Sequence, residues 1–142
     1  MKHFKLTAET KINVLGVKLF RIECIIDCKW AKVGDKGGWI EKENNLSGNA
    51  WVYGNAEVYG NAEVSGNAKV SGNADYCCFQ AFGSTNRTTT VFKTPDGVRI
   101  NCGCFNGSLD DFVKQVERTH GDNKFGREYR AIIEVIKAKF DL

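Results

Sequence analysis

A chain of 142 residues that is 42% hydrophobic and 11% aromatic holds about one domain's worth of material and enough apolar side chain to bury a core. Its 20 basic and 17 acidic residues interleave along the whole length to a net charge of +3, which excludes the concentrated basic footprint of a nucleic-acid binder. Residues 1–20 mix charged and polar groups, and no stretch approaches the length of a membrane span, so no secretion signal, no membrane partner and a cytoplasmic location are expected.

Residues 1–32 read as an N-terminal β cap. Lys5-Leu6 and Ile12 to Leu15 predict a short strand and a turn, and the run Leu19 to Ile26 predicts a further strand. Residues 33–75 carry the strongest pattern in the chain. Gly-Asn-Ala recurs at Gly48, Gly54, Gly60, Gly66 and Gly72, six residues apart, and Leu46, Val52, Val58, Val64 and Val70 each stand two residues before a glycine. Ile40 opens the series. A six-residue period fits neither an amphipathic helix nor a hairpin meander, but it fits a solenoid with one short strand and one corner per hexad. With three hexads to a triangular coil, Ile40 stacks on Val58, Leu46 on Val64 and Val52 on Val70. Strand alternation turns these residues and the alanines inward and leaves Trp51, Tyr53, Glu57, Tyr59, Glu63, Ser65, Lys69 and Ser71 outward. Gly and Asn fill the corners, where positive φ is tolerated and the Asn amides supply hydrogen bonds. Such a short stack exposes unpaired backbone at both ends, so the flanking segments are expected to cover it.

Residues 76–142 change pattern. Tyr76 to Phe82, Thr88 to Lys93 and Val98 to Cys102 read as strands, with Thr94-Pro95-Asp96-Gly97 as the turn between the last two. Ser108 is placed to cap a helix whose first turn carries Asp110 and Asp111. Leu109, Phe112, Val113 and Val116 give that helix one apolar stripe, and Gly121 ends it. A second helix, Asn123 to Phe140, aligns Phe125, Tyr129, Ile132, Ile133, Ile136 and Phe140. Two amphipathic helices need an apolar partner, which the strands, the open end of the coils or another subunit can supply.

The six cysteines, Cys24, Cys28, Cys77, Cys78, Cys102 and Cys104, are expected as free thiols in a reducing compartment. Cys77, Cys78, Cys102 and Cys104 lack the paired Cys-x-x-Cys spacing of zinc knuckles, so no metal and no cofactor are expected.

The hexad array resembles the hexapeptide-repeat proteins that form left-handed parallel β-helices, a family with many acyltransferases and some non-enzymatic members. The left hand comes from that resemblance, since the period carries no chirality. The fold it implies is mainly β with C-terminal helices: a short left-handed parallel β-helix flanked by an N-terminal β cap and a C-terminal β-hairpin plus two-helix region. The flanks extend the resemblance. Gly34-Asp35-Lys36-Gly37-Gly38-Trp39-Ile40-Glu41, the Gly-Asn-Ala array, Cys102-Gly103-Cys104-Phe105, Thr119-His120-Gly121-Asp122 and Glu128-Tyr129 are together similar to uncharacterised proteins of bacteriophages and prophages.

Hexapeptide acyltransferases use a histidine as general base. Here His3 lies at the start and His120 just before Gly121; neither falls within residues 33–75, and no long loop interrupts the hexads. Scaffold without catalytic group argues against reading fold as activity, and no catalytic residue is assigned. A Cys104 thiol with His120 as base is set aside, because strand, turn and helix separate the two. Outward aromatics and arginines suit a base-containing anionic ligand, the ring stacking and the guanidinium holding phosphate. The candidate ligand residues are Trp51, Tyr53, Tyr59, Arg87, Arg99, His120, Arg127 and Arg130. Burial of the aromatics at a subunit interface is the plainer alternative. The expected function is a non-enzymatic phage protein, a homo-oligomer with a trimer favoured, that sequesters a cyclic nucleotide or ADP-ribose-type signal in the host cytosol or binds a host defence protein, without DNA. An acyltransferase-like enzyme and a structural interaction module are the alternatives.

Overall fold

The computed structural model describes residues 2–142. Ten strands precede two helices: β1 (Phe4–Ile12), β2 (Lys18–Cys24), β3 (Lys36–Ile40), β4 (Trp51–Val52), β5 (Glu57–Val58), β6 (Lys69–Val70), β7 (Tyr76–Phe82), β8 (Arg87–Thr94), β9 (Gly97–Cys102), β10 (Phe105–Ser108), α1 (Leu109–Thr119) and α2 (Lys124–Phe140). They form one sheet in the order β1-β2-β3-β5, a second in the order β10-β9-β8-β7, and a two-stranded pair β4-β6.

The expected fold class is corrected by this arrangement. The chain is a mixed protein dominated by antiparallel sheets, not a mainly β chain built on a left-handed parallel β-helix. β1, β2, β7, β8 and β9 run six to nine residues and pair antiparallel, whereas the hexads supply strands of only two residues. Parallel pairing at an offset of eighteen residues is present: Ile40 sits beside Val58, Val52 beside Val70, and Leu46 bridges Val64. The hexad period therefore governs local stacking and corners. It says nothing about the flanks, where most of the strand content lies and where the long β-branched and aromatic runs choose hairpins.

Inside the hexads Leu46, Ala50, Val52, Ala56, Val58, Ala62, Val64, Ala68 and Val70 are all buried. The corner at Gly48 is tight. Gly48 has φ +62, and a Cβ there would stand 3.0 Å from the backbone nitrogen of Gly66 in the next layer. Asn45 is fully buried but satisfied: its amide donates to the carbonyls of Gly60 (3.1 Å) and Ala62 (2.9 Å), and its oxygen accepts from the N–H groups of Glu41 and Lys42.

Flanking segments cover both ends of the stack. At one end Lys2 Nζ donates to the Leu46 carbonyl (2.7 Å), His3 Nε2 donates to that of Ala50 (2.9 Å), and β2 pairs with β3. At the other, the Glu63 N–H donates to Thr90 Oγ1 (3.0 Å) and Asn101 Nδ2 to the Glu63 carbonyl (2.7 Å). Here two readings of the N-terminal segment change. β1 is a nine-residue strand, joined to β2 by a turn in which Asn13 Oδ1 accepts from the N–H groups of Leu15 and Val17. Trp51, expected to project outward, is buried against His3, with ring centroids 5.8 Å apart, because the N-terminal segment lies over that side.

The second sheet is a partition. Phe92 and Cys78 pack toward the hexads, and Cys77, Val91, Ile100 and Cys102 pack toward the helices, as period-two alternation requires. Phe112 and Val116 of α1 and Tyr129, Ile132, Ile133 and Ile136 of α2 complete that second core. Ser108 Oγ caps α1 by accepting from the Asp111 N–H, and Asn123 Oδ1 caps α2 by accepting from that of Gly126. No helix among the described residues is long and apolar enough to cross a membrane.

Candidate functional site

Where the helices meet the second sheet, a cleft of about 200 Å³ opens between the β7–β8 turn, the β9–β10 turn and the end of α1. Its chemistry comes from Arg87, Cys102, Cys104, His120 and Tyr129, with Ser84, Gln115 and Thr119 as further polar groups. Each is delivered by a recognisable local device. Antiparallel pairing of β8 with β9 sets Thr89 opposite Cys102, which brings Arg87, at the start of β8, to the cleft mouth. The two-residue turn Gly103-Cys104 joins β9 to β10 and presents Cys104 to solvent while Cys102 stays buried. His120 is the residue at which α1 stops; its N–H still donates to the Val116 carbonyl (2.9 Å), and Gly121 follows at φ +57.

Two glycines let the polar groups come close. Gly103 has φ +60, and any Cβ on it would overlap the Arg87 guanidinium, so that charge lies flat against the backbone just before Cys104. Gly83 has φ +80, and a Cβ there would overlap the Tyr129 hydroxyl; its N–H donates to Glu128 Oε1 (2.9 Å), tying the β7–β8 turn to α2.

One wall is aromatic. Phe105 and Phe112 have ring centroids 5.3 Å apart, Phe112 meets Tyr129 edge-on at 5.6 Å, and the His120 ring stacks on Tyr129 at 5.6 Å and 22°. The Tyr129 hydroxyl is 3.7 Å from Cys102 Sγ, which also accepts from Thr89 Oγ1 at 3.1 Å. Burial, reinforced by Cys102, pushes the Tyr129 phenol above its ordinary range, so it stays a neutral hydroxyl; the Arg87 charge opposes that shift. Arg87 itself donates through Nε to Thr85 Oγ1 (2.8 Å) and has no carboxylate within 4 Å among the described residues. Its other side borders a second depression of about 360 Å³ that includes Lys42, Asn61 and Glu63. A guanidinium with no carboxylate within 4 Å among the described residues, between an aromatic wall and a depression that holds both Lys42 and Glu63, can pair with an anion.

Of the residues expected from sequence, only Arg87 and His120 share this cleft. Trp51 lies buried under the N-terminal segment, and the Tyr53 hydroxyl donates to the Trp30 carbonyl (3.3 Å). Tyr59 borders a separate depression with Tyr76, Cys77 and Cys78. Arg99 donates to Asn106 Oδ1 (2.9 Å), Arg127 to the Asp122 carbonyl (3.0 Å), and Arg130 to the Gly121 carbonyl while pairing with Glu117 and Asp122. Sequence reasoning missed Tyr129, Cys102 and Phe105 as site residues. The available signal was the glycines at 83 and 103, each beside polar residues in a turn. All six cysteines are free, and no cluster of three or more His, Cys, Asp or Glu able to hold a metal ion occurs among the described residues.

No protein-family model matches the chain, and no curated protein matches it.

Proposed function

We propose that the protein is a binding module that takes a nucleotide-type anion at the Arg87 cleft and acts by sequestration. The observation that carries this reading is the Arg87 guanidinium, held against Gly103 beside the His120–Tyr129 stack without a carboxylate partner. A base or ring enters against the aromatic wall, the phosphate lies on Arg87, and the remainder of the ligand runs toward Lys42 in the neighbouring depression. Because the cleft at about 200 Å³ encloses only part of such a ligand, an extended one that spans both depressions fits better than a lone base. In the phage setting that the sequence resemblance implies, the ligand is a cyclic nucleotide or ADP-ribose-type host signal, and the protein works as a homo-oligomer. Sequestration needs tight binding and an excess of sites rather than turnover.

Isothermal titration against cyclic dinucleotides and ADP-ribose tests this. Arg87→Ala is expected to weaken the binding of whichever ligand is taken up by about 10- to 100-fold, the worth of about 1.5–3 kcal/mol for hydrogen bonds to a charged group. Uptake of none of them, or equal affinity in the variant, removes the reading.

A further inference from the structure

A thiol and a base that the sequence keeps sixteen positions apart, at Cys104 and His120, line one cleft together with the Arg87 charge. We propose that Cys104 is a covalent modification site for anionic low-molecular-weight disulfides, recruited by Arg87 and activated by His120. This inference needs only the cleft and stands apart from the nucleotide reading.

Selectivity among the six cysteines follows from their surroundings. Cys104 alone is exposed; Cys24 and Cys102 are buried, and Cys28, Cys77 and Cys78 are half-buried. Cys24 Sγ donates to the Ile26 carbonyl (3.1 Å), and Cys102 Sγ is engaged by Thr89 and Tyr129. Burial pushes the thiols of Cys24 and Cys78 up and that of Cys77 up to about 11, which keeps them protonated and unreactive. Cys104 is open to solvent and follows directly the glycine on which the guanidinium rests. A carboxylate of the disulfide pairs with Arg87, which positions its sulfurs at the thiol.

The exchange balances without a further reagent. His120 accepts the Cys104 thiol proton, and the thiolate attacks one sulfur of the disulfide. A new S–S bond forms as the old one breaks, and the departing thiolate takes the proton back from His120. One protein thiol and one disulfide thus give one mixed disulfide and one free thiol. The adduct fills the cleft, so any anionic ligand of Arg87 is displaced.

Reduced protein is incubated with glutathione disulfide, which is anionic, or with cystamine, which is cationic, and followed by intact mass and peptide mapping. The first adduct is expected on Cys104, with glutathione disulfide reacting about tenfold faster than cystamine. Arg87→Ala should abolish that preference, Cys104→Ser should remove the early adduct, and His120→Ala should slow both reagents about tenfold or more. His120→Gln repeats the last arm if His120→Ala fails to fold. A first adduct on any other cysteine, an unchanged reagent preference in Arg87→Ala, or an unchanged rate in both His120 variants overturns the proposal.

Discussion

Gly103 and Arg87 act as one unit. The left-handed backbone at Gly103 makes the sharp turn between β9 and β10, and its missing side chain is the space that the guanidinium occupies. Gly103→Ala should therefore cost about 1–2 kcal/mol in a denaturant titration and also reduce ligand affinity to the level of Arg87→Ala. Gly97, at φ +110 with open space around it, is the control. Gly97→Ala should lose stability and keep affinity, and equal affinity losses in both variants would detach Gly103 from the site. His3 makes a second prediction at this scale. Burial lowers its pKa from the ordinary value, with the Lys2 charge adding to the shift and the hydrogen bond to Ala50 opposing it. The unfolded chain then binds the extra proton first as pH falls, so stability contributed by neutral His3 is complete above about 6.5 and declines below it until the folded pKa is passed. Thermal melts between pH 5 and 7.5 should fall more steeply toward acid for the native protein than for His3→Gln; parallel curves would show that His3 plays no such part.

Among the elements, register decides what meets what. Ile40, Leu46 and Val52 find their partners because eighteen residues return the chain to the same side, and the buried Asn45 then bonds two carbonyls of the layer below. Inserting a duplicate of residues 54–71 should preserve those pairings and a cooperative melt. Duplicating only residues 54–65 should rotate each row onto the wrong side and abolish cooperative unfolding, as circular dichroism would record. Equal tolerance of both insertions would contradict a fixed register. The capped helices were legible in advance, since Ser108, Asn123 and Gly121 mark their ends by simple hydrogen-bond chemistry. The hexad rows were legible for the same reason: the pattern is local and repeats. The dominance of antiparallel sheets was not, because only the Thr94–Gly97 turn announced a pairing, that of β8 with β9, and no periodicity in residues 1–32 or 76–108 fixes the partners of the other long strands. Trp51 misled through alternation, which orients a side chain but does not reveal that a flanking segment covers it.

At the scale of the whole molecule, the second sheet separates two cores, and the cleft forms only where its turns meet the helix ends. Arg87 and His120 could each be singled out from sequence, yet their meeting depends on three separate elements, so their shared site was illegible until the sheet order was known. Tyr129 joins them by stacking on His120 from α2. The most direct test of the account is native mass spectrometry of the protein purified from cells, native and Arg87→Ala side by side. The native protein is expected to carry a nucleotide-type mass that heating releases chemically unchanged, and the variant to carry none. A ligand-free native protein, or the same adduct retained by Arg87→Ala, would contradict the assignment of the cleft.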